Sequence, residues 1–107
     1  MSLEDRSDRP DPRVQRVLDA LRQYEQAHPH AEIVVRRQNP VSIRIRIIDP
    51  DFKRQDKIER EKEVWRILDT LSDELPADIS MLLLLTPEEA PNSFANMEFE
   101  HPIPSLL

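Results

Sequence analysis

The stretch Val41-Ser42-Ile43-Arg44-Ile45-Arg46-Ile47-Ile48 decides how this chain folds. Its branched apolar residues fall at every second position, and successive side chains of an extended strand point to opposite faces. Val41, Ile43, Ile45 and Ile47 therefore share one face, expected to be buried, while Ser42, Arg44, Arg46 and Ile48 share the other. A sheet with one apolar face needs a second layer over that face, and the sequence on either side supplies helices.

Upstream, Ala31 to Gln38 reads as a strand built on Ile33, Val34 and Val35, and the Asn39-Pro40 turn predicts that it pairs antiparallel with Val41 to Ile48. Before it, Val14, Val17, Leu18, Leu21 and Tyr24 recur at helical spacing and predict a helix from about Arg13 to Ala27. Asp11 is placed to cap that helix, with Pro12 at the first helical position, where a missing N–H costs nothing. His28-Pro29-His30 closes it. Downstream, Asp49-Pro50-Asp51 breaks the strand pattern. A second helix is expected from about Gln55 to Leu75, with Ile58, Val64, Trp65, Leu68, Leu71 and Leu75 as its buried stripe. Ile79 to Leu85 is the third strand, apolar on both faces. Its expected phase puts Met81, Leu83 and Leu85 toward the helices and Leu82 and Leu84 away from them.

The expected fold is α+β, a two-layer arrangement in the order α-β-β-α-β, with a three-stranded sheet carrying two helices on one face. Strand two, helix two and strand three are expected to form a crossover unit. Residues 1–12 are expected to be a flexible N-terminal segment, residues 13–89 the single domain, and residues 90–107 an acidic, proline-containing C-terminal tail. Prolines at 87, 91, 102 and 104 predict an extended tail rather than a helix.

Composition narrows the chemistry. The 107 residues include no cysteine and no glycine. Without cysteine there is no disulfide framework, thiolate metal site or cysteine nucleophile. Without glycine there is no phosphate-cradling Walker loop, dinucleotide fingerprint or GXXG nucleic-acid loop. No run reaches the roughly 18 apolar residues of a membrane span, and the charged start lacks a signal-like apolar region. A cytoplasmic setting with no membrane partner is expected. The net charge of −6 is unevenly spread: residues 13–86 hold 13 acids and 13 bases, so the acidity lies in the two ends.

Candidate sites are few. His28 and His30 form an H-x-H pair with His101 far off, and an exposed turn rather than a metal site is expected. The seven serines include no nucleophile elbow. No catalytic residue, cofactor or metal is expected, and the chain is read as a non-enzyme. Arg36, Arg37, Arg44 and Arg46 cluster on the hairpin as a candidate nucleic-acid surface, but aromatics, at 5% of residues, are too scarce to make a good stacking platform. The third strand is more informative. Leu82 and Leu84, with Ile48, would lie on an open sheet face and need a cover. The tail carries Phe94, Met97, Phe99, Ile103, Leu106 and Leu107, which suit that task within the chain or across a dimer, and Glu98 and Glu100 are placed to meet Arg44 and Arg46.

Three local features carry a family resemblance. Phe52 is followed after seven residues by Arg60-Glu61-Lys62 at the start of the second helix; Val64, Trp65 and Leu68 follow as apolar positions; and Leu82, Leu84, Thr86 and Glu88-Glu89 close the third strand. With the α-β-β-α-β order, these resemble the BolA family, a variant of the type II KH fold, over roughly residues 13–89. The resemblance implies the fold. It does not extend to the family's iron–sulfur partnership with monothiol glutaredoxins, because Arg54 stands where the family has glycine, Glu61 where it has histidine in the helix motif, and Ser80 about where the third strand carries its ligand histidine. The expected function is therefore a non-catalytic protein-interaction module that self-associates through the open sheet face and tail, with Ile48, Leu82, Leu84, Phe94 and Phe99 as its contacts. A BolA-like regulatory role, or nucleic-acid binding through the hairpin arginines, is the alternative.

Overall fold

The hairpin of alternating apolar and charged residues forms the middle of the sheet. In the computed structural model, which describes residues 2–71 and 75–102, the elements run β1 (Ser2–Asp5), α1 (Pro12–Ala27), β2 (Glu32–Asn39), β3 (Ser42–Ile48), α2 (Lys57–Leu68), β4 (Ile79–Leu85) and α3 (Phe94–Glu100). Single 3-10 turns at Pro50–Arg54, Leu75–Asp78 and Ala90–Asn92 join them. The strand order is β1-β2-β3-β4; β2 and β3 are antiparallel, while β1 and β2, and β3 and β4, are parallel pairs. The chain is thus two βαβ units joined back to back by the hairpin.

The α+β class holds, but the architecture is larger than expected: four strands and three helices among the described residues. The expected flexible N-terminus contributes β1, which pairs Leu3 with Ile33 and turns Leu3 toward the core. The expected extended tail contributes α3, so the layers number three, with α1 and α2 on one face of the sheet and α3 on the other.

The helix-side core is close to the sequence pattern. Val14, Val17, Leu18, Leu21 and Tyr24 of α1 meet Ile33, Val35, Ile43, Ile45 and Ile47, with Phe52, Val64, Ile67, Leu68 and Leu75. Asp11 caps α1 by accepting the Arg13 and Val14 N–H groups, and Pro12 begins the helix. Asp56 and Glu59 form a capping box that starts α2.

Three details depart from expectation. Val41 lies outside β3 and is 61% exposed, because the chain is still leaving the turn there. Ile58 in the first turn of α2 is 75% exposed, and Ile67 takes its place in the stripe. Helix α2 stops at Leu68 instead of Leu75, where Thr70 turns its hydroxyl onto the Ile67 carbonyl at 2.7 Å and competes with helix continuation.

Candidate functional site

Register assigns the expected site residues to faces. In β4, Leu82 pairs with Ile45 and Leu84 with Ile47. Paired residues of neighbouring strands point the same way, so Leu82 and Leu84 face the helices. Leu84 belongs to the buried core and Leu82 packs against it. This reverses the expected phase. Met81, Leu83 and Leu85 instead share the second face with Arg44, Arg46 and Ile48, and all three stay half-buried. The strand is apolar on both sides, so periodicity could not choose its phase; its register against β3 does.

The second face is covered within the chain. Ser93 caps α3 by accepting the Asn96 N–H at 3.1 Å, and Pro91 and Pro102 bracket the helix instead of interrupting it. Phe99 is fully buried, with the guanidinium groups of Arg36 and Arg46 over its ring at 5.5 and 4.9 Å. Arg36 also donates to the Phe99 carbonyl at 2.6 Å. Arg44 pairs with Glu98 at 3.3 Å, Arg46 with Glu100 and with Asn96 at 3.0 Å, and Arg6 with Glu100 at 3.0 Å. The expected meeting of Glu98 and Glu100 with Arg44 and Arg46 takes place. Phe94, by contrast, is 84% exposed and Met97 is half exposed, so the tail splits into an anchor and a free apolar rim. Ile103, Leu106 and Leu107, assigned to the cover, lie outside the described residues.

The four hairpin arginines do not make one patch. Arg37 pairs with Ile43 across the hairpin and so lies on the helix side, where it binds Asp11. Arg36, Arg44 and Arg46 line the other face under α3, and the Nε atom of each is buried without a hydrogen-bond partner among the described residues. Burial, with the neighbouring charges of Arg6 and Arg44, lowers the pKa of Arg36. The hydrogen bond from Arg46, against an opposing effect of burial, lowers that of Glu100.

The pieces that carried the family resemblance meet at Arg60. Its guanidinium lies 5.4 Å from the Phe52 ring centre, donates to the Gln55 and Leu84 carbonyls at 3.1 Å each, and grips Glu89 at 2.7 and 3.3 Å. Glu89 in turn accepts the Thr86 N–H at 2.8 Å. Arg60 so ties the start of α2 to the end of β4. Beside it, Lys57, Arg60, Glu61, Leu82–Leu85 and Glu89 line a groove of about 290 Å³ along the outer edge of β4. The groove was not predicted from the sequence, because it exists only where a strand becomes the sheet's edge.

A polar cluster lies at the other end of the helix layer. His28 is stacked on Tyr24 with ring centres 4.1 Å apart and sits among Asp49, Asp51 and Glu63. An exposed turn is the expectation for His28-Pro29-His30; His30 is exposed, but His28 is half-buried within this set. Burial alone would lower the pKa of His28, but hydrogen bonds to Glu63 and Asp51 outweigh it and raise the value. Burial and the bond to Asp49 push Tyr24 far above its ordinary range, so it stays a neutral donor.

No family model, curated protein or solved structure matches the chain. No helix among the described residues is long and apolar enough to cross a membrane.

Proposed function

We propose that the chain is a non-catalytic protein-interaction module that self-associates through the outer edge of β4. The observation that carries this reading is the contrast between the sheet's two edges. β1 is four residues long and ends in Glu4 and Asp5, whereas β4 runs seven residues, Ile79–Leu85, with no charge. Short, charged edges resist pairing with another chain, and long apolar edges invite it. A second copy is the fitting occupant. The groove beside β4 carries Lys57 and Arg60 with Glu61 and Glu89, so it is complementary to its own two-fold image; a rim of one sign would repel that image. The half-buried Met81, Leu83 and Leu85 extend the contact onto the second face. The nucleic-acid alternative draws less support, since Arg36, Arg44 and Arg46 are engaged by α3 and Arg37 by Asp11. The α-β-β-α-β order from α1 to β4 is compatible with the BolA-like resemblance, and the reading takes no chemistry from it.

Sedimentation of the wild type against Leu83→Lys tests the proposal. The wild type should form a dimer that survives added salt, and a lysine on the outer face of an edge strand should give a folded monomer. A wild-type monomer at high concentration, or a dimer untouched by the lysine, overturns it.

A further inference from the structure

The cluster at the C-terminal end of α1 has the construction of a metal site. His28 is the residue that ends the helix, and Asp49 and Asp51 follow β3, so the two aspartates arrive from the turn that stops the strand. His28 Nδ1 lies 2.7 Å from Asp51 Oδ2 and 3.4 Å from Asp49 Oδ2, and one ligand atom from each of the three residues falls within 4.8 Å of the others. On the far side of the ring, His28 Nε2 lies 2.8 Å from Glu63 Oε2.

Two features point to a cation at this place. The first is the orientation of the histidine. Nδ1 faces two carboxylate oxygens, Asp51 Oδ2 and Asp49 Oδ2, while Nε2 faces Glu63, so a cation at Nδ1 would meet negative oxygen from both aspartates with a third carboxylate behind the ring. A carboxylate behind a histidine in this way sets its tautomer and raises its basicity as a ligand. The second is charge. Asp49 is completely buried, and among the described residues its ion partner is His28 alone; its other contacts are the Tyr24 hydroxyl at 2.6 Å and the Asp51 N–H at 2.9 Å. Three carboxylates thus converge on one imidazole, which neutralises one of them at most. A buried carboxylate is costly without a matching positive charge.

We propose that His28 Nδ1, Asp49 Oδ2 and Asp51 Oδ2 bind a divalent transition-metal ion, zinc in the first instance, with Glu63 and Tyr24 orienting the ligands from behind. One imidazole nitrogen and two carboxylate oxygens are donors zinc accepts, and three protein ligands leave a fourth position for water. The exposed flank of Asp51 gives the ion a way in. When no metal is bound, a proton on Nδ1 supplies the positive charge. No residue of the site lines the β4 groove, so it stands or falls separately from self-association.

Titration of the full chain with zinc chloride by calorimetry is the test, with cobalt(II) as a spectroscopic substitute and the ring-nitrogen shifts of His28 followed by NMR. One ion per chain should bind, with the Nδ1 resonance moving on saturation. Asp51→Asn, at a half-exposed position that the fold tolerates, should weaken binding about tenfold or more, and Glu63→Gln should weaken it about 10–100-fold, as loss of an orienting carboxylate does. His30→Gln should bind as the wild type does. Absence of stoichiometric uptake, or uptake that Asp51→Asn leaves unchanged, overturns the proposal; circular dichroism confirms that each variant is folded.

Discussion

The two faces of this sheet are held by different forces. The helix side is dry: Ile43, Ile45 and Ile47 of β3 are completely buried against branched and aromatic side chains from α1 and α2. On the other side, the same strand presents Arg44 and Arg46, and seven residues of α3 cover them with one buried aromatic ring and two glutamates. The first face is stabilised by the area it removes from water and is indifferent to salt. The second depends on charges that salt screens and acid neutralises. One strand therefore carries both a permanent core and a cover that conditions can loosen.

The largest effect belongs to the dry face. Ile45→Ala leaves a cavity between β3 and the helices and should cost about 2–5 kcal/mol, read from urea unfolding. A cost below 1 kcal/mol would mean that the two faces are not as different as their packing indicates.

A smaller effect is expected at the centre of the other face. A phenylalanine lost from a rigid core costs about 3–5 kcal/mol, but Phe99→Ala should cost less, because a seven-residue helix can leave the sheet and cap the loss. Hydrogen exchange should show α3 opening while the amides of β3 stay protected. Release of α3 should also uncover Arg36, Arg44 and Arg46. The variant should then bind a polyanion such as heparin with a steep salt dependence, which the wild type lacks. Global unfolding at the same denaturant concentration for α3 and β3 would erase the distinction.

The difference between the faces also explains what the sequence makes legible. The core follows from period: alternation in β3 gives Ile43, Ile45 and Ile47 and misses only at Val41, before the strand begins, 3.6-residue spacing gives the buried residues of α1, and Asp11-Pro12 gives the helix start. The phase of β4 does not follow, because Ile79–Leu85 is apolar at nearly every position and either phase satisfies the pattern. β1 has only Leu3 directed at the core, too little for any periodicity. The signal for α3 lies in Ser93, a good N-cap, and in the proline-free run up to Pro102, but in a sequence prolines that bound a helix look the same as prolines that prevent one. The β4 groove and the His28 cluster join residues far apart in the chain, 57 with 89 and 28 with 63, and no local pattern announces such a meeting.

The smallest effect is the pH dependence of the arginine face. Glu100 bonds to Arg46 and Arg6, and the bond to Arg46 outweighs burial in holding its pKa below the ordinary glutamate value. A carboxylate with a depressed folded-state pKa contributes stability that is fully present above its unfolded value, about 4.3, and is lost as pH falls through the folded one. The window is therefore acidic, and docking of α3 should be flat through neutral pH. Glu100 is more than one-third exposed, so screening keeps the contribution within the 0–1 kcal/mol or so typical of a surface pair. Hydrogen exchange of α3 across that window should show opening that grows as Glu100 takes up its proton. Glu100→Gln should already show at neutral pH the part of that opening due to this carboxylate, and should flatten the acid response. Added salt should shrink the difference between wild type and variant, while the protection of Ile43, Ile45 and Ile47 stays unchanged in both. If acid and salt loosen the amides of β3 and α3 together, the two faces act as one cooperative unit, and the division of this sheet into a fixed and a releasable side fails.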